Sequence, residues 1–135
     1  MSDAQALAEA AERLIGTPFR LHGRDPEFGL DCVGLVAVAM RSIGREAITP
    51  EGYGLANRTI DHWLALAETG GWRTTSRETK PGDLVLVHPA PTRSHLLIRG
   101  PRNNFIHAHA GLRRVVSTPS PLAWKVARQW RLADI

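Results

Sequence analysis

The stretch Cys32-Val33-Gly34-Leu35-Val36-Ala37-Val38-Ala39-Met40 carries no polar side chain apart from the thiol at its start. Arg41 and Ser42 are the first interruptions before Gly44. Asp31 is a favoured N-cap and Gly44 suits the left-handed position past a helix end, so the pattern predicts a helix over 32–44. A helix that is apolar on every side must be buried on every side. The rest of the chain therefore has to wrap around this segment, and the chain's one cysteine stands where the wrapped helix begins.

The flanking sequence shows what does the wrapping. Leu7, Ala8, Ala11, Leu14 and Ile15 recur at helical spacing opposite Glu9, Glu12 and Arg13, which predicts a first helix over 3–15. Gly16-Thr17-Pro18 stops it, because proline disfavours helix at the residue before it. Gly23, Pro26 and Gly29 make the next stretch a loop. A third helix is expected over 60–69, between Thr59 and Gly70-Gly71. After the turn Pro81-Gly82-Asp83 the pattern changes to short runs at 84–88, 95–99, 105–109, 113–117 and 126–132, with Gly100-Pro101-Arg102-Asn103 as another turn. Helices followed by hairpin-spaced strands imply an α+β fold with an antiparallel sheet of about five strands. A chain of 135 residues is expected to form one domain over 1–135.

Composition removes several classes. An apolar fraction of 43% and a charged fraction of 22% argue against a mostly disordered chain. No apolar run approaches the ~18 residues of a membrane span. The start, Met1 to Ala6, has neither a basic nor a continuous apolar region, so no secretory signal is expected and synthesis would leave the chain in the cytoplasm. One cysteine cannot form an internal disulfide or a cysteine-rich zinc site. The net charge of +4 is unevenly spread: residues 1–70 hold six basic and ten acidic side chains, residues 71–135 eleven and three. A basic second half suits a polyanion such as nucleic acid or a wall polymer, and equally a solvated arginine-rich surface. There is no run of five or six like charges and no aromatic-interleaved basic stripe, so no nucleic-acid partner is expected.

The chemistry has to come from Cys32 and the histidines. A thiolate is the reactive form, and a helix N-terminus or a neighbouring imidazolium lowers a thiol's pKa. Cys32 has the first by position, with Asp31 opposing if its carboxylate lies close. Six histidines exist: His22, His62, His88, His95, His107 and His109. A hairpin centred on Pro101 would set His95 directly opposite His107, with Cβ atoms ~5 Å apart on one face. One ring can then act as base for the thiol while the other fixes its tautomer. His109 shares that face and can stand in for His107. His95, His107 and His109 together also form a plausible zinc set, and a non-catalytic structural role is a third reading. His22 lies in the loop before the cysteine, within reach of a substrate. His62 and His88 read as surface residues. Trp63, Trp72, Trp124 and Trp130 read as core or cleft wall, and Arg93, Arg99 and Arg102 flank the hairpin.

Five blocks in order carry a family resemblance: Gly16-Thr17-Pro18-Phe19, Gly29-Leu30-Asp31-Cys32-Val33-Gly34-Leu35-Val36, Pro81-Gly82-Asp83-Leu84-Val85, Ser94-His95-Leu96-Leu97-Ile98 and Phe105-Ile106-His107-Ala108. Together they resemble the NlpC/P60 family of papain-like cysteine peptidases and amidases, which cleave peptides of the bacterial cell wall. The resemblance implies Cys32 as nucleophile, His95 as general base and His107 as the third, orienting residue. It implies substrate contacts at Asp31 and Phe19, a peptidoglycan peptide as substrate, and no cofactor or metal. Two positions depart from the family pattern. Phe19 stands where a tyrosine hydroxyl usually lies near the oxyanion, and one lost donor there can cost ~3 kcal/mol. Val33 stands where a serine usually helps bind a free N-terminal amine. The chain is similar to the short versions attached to phage tails or gene-transfer particles, which implies particle proteins as further partners.

Overall fold

Ser2 accepts the Gln5 N–H on its hydroxyl while the Gln5 side chain takes the Ser2 N–H. This reciprocal pairing satisfies two donors at a helix start. Helix α1, Asp3–Glu12, follows in the computed structural model, which describes residues 1–46, 70–91 and 93–135. It is shorter than the 3–15 expected. After Glu12 the backbone tightens, with the Leu14 N–H on the Ala11 carbonyl and the Ile15 N–H on that of Glu12. Gly16 then turns at φ +93° and gives its N–H to the Val115 carbonyl. That long-range bond, which no local periodicity reports, draws the chain off the helical path.

Helix α2, Cys32–Ser42, begins at the expected cap: Asp31 accepts the Gly34 N–H at 2.8 Å. Val33, Leu35, Val36, Ala39 and Met40 are buried. The third helix expected over 60–69, with His62 and Trp63, lies outside the described residues.

A two-stranded hairpin, β1 (Arg24–Asp25) and β2 (Gly29–Leu30), stands in the stretch expected to be loop. The main sheet has six strands rather than about five: β3 (Trp72–Thr74), β4 (Leu84–Ala90), β5 (Arg93–Arg99), β6 (Asn104–His109), β7 (Arg114–Pro119) and β8 (Val126–Leu132). Their order is β3-β8-β4-β5-β6-β7, and the strand pairings are antiparallel. The added strand β3 is only three residues long, too short to show a period, and pairs with β8.

Alternation along the strands separates two apolar layers. Leu84, Leu86, Leu96, Ile98, Ile106 and Trp130 meet Leu7, Ala11, Leu35, Val36 and Met40 of the helices in the main core. Val85, Val87, Leu97 and Phe105 face the other way, under Leu122, Trp124 and Val126. The turn before β4 is tied to β8 by the fully buried Asp83, whose carboxylate accepts from the Lys80 N–H, Gln129 Nε2 and both Nε and Nη2 of Arg131. Among the described residues no helix is long and apolar enough to cross a membrane.

Candidate active site

The loop before α2 is packed directly on its first turn. A Cβ on Gly34 would overlap the Gly23 carbonyl oxygen, so the absence of a side chain lets loop and helix touch. Asp31, 2% exposed, is gripped by both. Its Oδ1 accepts from the Gly34 N–H and from Arg24 Nη1 at 3.1 Å, and its Oδ2 accepts from the His22 N–H at 2.8 Å. His22 itself is exposed and holds a left-handed backbone at φ +62°. Phe19 is half-buried at the rim of the main core, bridged to Leu30.

These constraints fix where α2 starts, and so where Cys32 stands. Among the described residues β5 pairs with β6 only at Ile98↔Ile106 and Arg99↔Phe105, and the strands part beyond that point. Arg99 gives its N–H to Asp83, toward β4. By the alternation of a strand, the Leu96 N–H points the opposite way, toward β6, into the space where pairing has ended. The Cys32 thiol feels the backbone N–H groups of Leu96, Val33 and Cys32 itself, each of which favours its ionised form.

The thiol's electrostatics reverse the sequence expectation. A helix N-terminus was expected to lower its pKa, and the three N–H donors do act in that direction. Burial of the sulfur outweighs them, with the Asp31 carboxylate adding to it, and pushes the thiol up to about 12. The residue as a whole remains half-buried rather than sealed. In the resting site the sulfur keeps its proton.

The two imidazoles lie on the side of the smaller apolar layer. His95 Nε2 is 2.9 Å from His107 Nδ1, with the rings T-shaped at a centroid distance of 5.0 Å. The register differs from the one expected. With Ile98 opposite Ile106, Leu97 rather than His95 falls opposite His107. The offset is two residues, so the face is preserved, and the contact is diagonal. Burial lowers His95 to about 3, with smaller contributions from His107, His109 and Arg93. Burial lowers His107 to about 4, helped by His109. Both rings are therefore neutral at pH 7.

Two neighbours complete the pair. His107 Nε2 is 2.8 Å from Thr118 Oγ1 on β7. Trp124, one of the tryptophans expected in core or cleft wall, stands edge-on to both rings at centroid distances of 6.2 Å. Thr118 carried no signal in the sequence, because its role depends on the β6–β7 register that sets it beside Phe105. His109 sits 5.9 Å from His107 and accepts the Leu112 N–H on Nδ1, while His88 is exposed. The zinc arrangement is not formed: His95 and His107 point nitrogens at each other, and among the described residues no three His, Cys, Asp or Glu side chains are grouped to hold a metal.

A family model for NlpC/P60 matches residues 16–130. The chain belongs to the NlpC/P60 family. No curated protein matches it. Among solved structures it is similar to NlpC2 from Trichomonas vaginalis, with a TM-score of 0.71 and 20% identity, covering 96% of this chain and 47% of that one. It is similar to the NlpC/p60 domain of the peptidoglycan hydrolase SagA, with a TM-score of 0.61 and 24% identity, covering 91% of this chain and 95% of that domain. It also resembles the peptidoglycan hydrolase RipB from Mycobacterium tuberculosis, with a TM-score of 0.65 and 20% identity over 98% of this chain and 66% of that one. The chain thus spans about half the length of the Trichomonas protein and nearly all of the SagA domain. The expected α+β, papain-like NlpC/P60 fold is the one observed.

Proposed function

We propose that the protein is a cysteine hydrolase that cleaves an amide bond in peptidoglycan stem peptides, with residues 1–135 acting as one catalytic domain. Family membership supports the reaction class, and the names of SagA and RipB support the substrate. The observation that carries the reading is the contact between His95 on β5 and His107 on β6, with the Cys32 thiol under the influence of the N–H of Leu96, the residue next to His95.

His107 occupies Nε2 of His95, which leaves Nδ1 to serve the nucleophile. Because thiol and imidazole are both neutral at rest, proton transfer accompanies attack. The Cys32 S–H proton passes to His95 Nδ1 as sulfur bonds to the substrate carbonyl carbon. The resulting oxyanion is met by the Cys32 N–H, which the sulfur releases as it bonds to carbon. His95 then gives its proton to the departing amine nitrogen as the C–N bond breaks, leaving a thioester on Cys32. Water, losing a proton to His95, attacks the thioester carbonyl carbon; the C–S bond breaks, the carboxylic acid product leaves, and the proton returns to sulfur. His107 stabilises the imidazolium through its acceptor Nδ1 and holds the ring's tilt, with Trp124 packed edge-on against both. Asp31 acts as cap of α2 and, with Arg24, His22 and Phe19, shapes the substrate side of the site.

Mass spectrometry of purified muropeptides before and after incubation tests this. The protein should convert a stem peptide into two fragments whose masses sum to the parent plus water, and Cys32→Ala should abolish the change while keeping the native circular dichroism spectrum. Undiminished cleavage by Cys32→Ala contradicts the reading.

A further inference from the structure

Resting on that reading, we infer that Thr118 is a positioning residue: its hydroxyl accepts the His107 Nε2–H and thereby sets the direction of every proton along the chain from Thr118 through His107 to His95. Two arrangements satisfy the observed distances of 2.8 Å and 2.9 Å. In one, Thr118 Oγ1 accepts from His107 Nε2–H, His107 Nδ1 accepts from His95 Nε2–H, and His95 presents a bare Nδ1 that can take a proton. In the other, the hydroxyl donates, every proton reverses, and His95 presents Nδ1–H, which can take nothing from a thiol. Since a hydroxyl can do either, the surroundings decide.

One feature favours the productive direction, and two more make Thr118 the partner on which the direction depends. Thr118 lies on β7, the edge strand of the sheet, and is half-buried, so its own hydroxyl hydrogen can turn toward solvent. His107 is 2% exposed, so its Nε2 depends on this partner. The neighbouring ring, His109, uses its Nδ1 for the Leu112 N–H, which leaves Thr118 as the hydrogen-bond partner of His107 Nε2.

The test uses full-length protein labelled with ¹⁵N-histidine, in which long-range ¹H–¹⁵N spectra report the tautomer of each ring. The parent should show protons on Nε2 of both His95 and His107. Thr118→Val, which keeps the shape and removes the hydroxyl, should give a mixture at His107 and lower kcat about tenfold with KM unchanged. Thr118→Ser should restore both the spectrum and kcat. A parent spectrum with the proton on Nδ1 of His107 overturns the proposal whether or not the valine variant folds. So does a folded Thr118→Val protein with parental tautomers and parental kcat. The spectra need no turnover, so failure of the hydrolase reading and failure of this one are distinguishable.

Discussion

His95 and His107 hydrogen-bond at 2.9 Å from positions that are not opposite one another. The strands that carry them pair at Ile98↔Ile106 and Arg99↔Phe105 and then separate. A diagonal contact can close across that gap because both side chains stay on the same face. The parting that makes the contact diagonal also leaves the Leu96 N–H without a partner on β6 among the described residues, and that N–H is among the groups that act on the Cys32 thiol.

The two imidazoles make stability depend on acidity. Both have folded-state pKa values, about 3 and about 4, below the ordinary 6.5. Between pH 6.5 and about 4 the unfolded chain binds protons that the folded site refuses, so stability is full above pH 6.5 and falls as pH drops through that window. Urea unfolding at a series of pH values should show this slope, and His107→Gln should reduce it, leaving the contribution of the buried His95. An unchanged slope in the variant would place the effect elsewhere.

A thiol raised to about 12 should be slow to alkylate. The iodoacetamide rate at Cys32 should climb about tenfold per pH unit up to pH 9 with no plateau, since only the thiolate reacts. Asp31→Asn removes the charge that opposes ionisation while keeping a capping side chain, and should raise the rate at each pH. An inflection below pH 8 in the parent would mean a resting thiolate–imidazolium pair instead of the neutral pair described above.

Gly34→Ala would ordinarily help a helix by ~1 kcal/mol. Here the added methyl meets the Gly23 carbonyl oxygen, so the loop holding Asp31 has to move. The expected outcome is a loss of about 1–3 kcal/mol with a matching fall in activity, read by denaturant unfolding and turnover. A stabilised variant would show that the loop yields freely.

The sequence made α2 and its cap plain, because a helix apolar on all sides with Asp31 before it admits few placements. The strand-rich half was equally clear from its turns. What sequence could not supply was long-range. β3 is a three-residue strand defined by its partner, and α1 ends early because Gly16 bonds to Val115. The hairpin register depended on whether the turn took two residues more or fewer. The contact between His95 and His107 was legible despite the wrong register, since an even offset keeps the face. Thr118 was missed because nothing local ties a threonine on one strand to a histidine on the next. The sign of the thiol shift was misjudged for a related reason: helix position is written in the sequence, whereas the desolvation that outweighs it is set by packing.

Intact-mass spectrometry of protein quenched in acid during turnover on a purified stem peptide tests the central claim most directly. A covalent acyl adduct should appear, peptide mapping should place it on Cys32, and Cys32→Ala should show none. Hydrolysis proceeding with no adduct at any quench time, or an adduct mapped to another residue, would contradict the account.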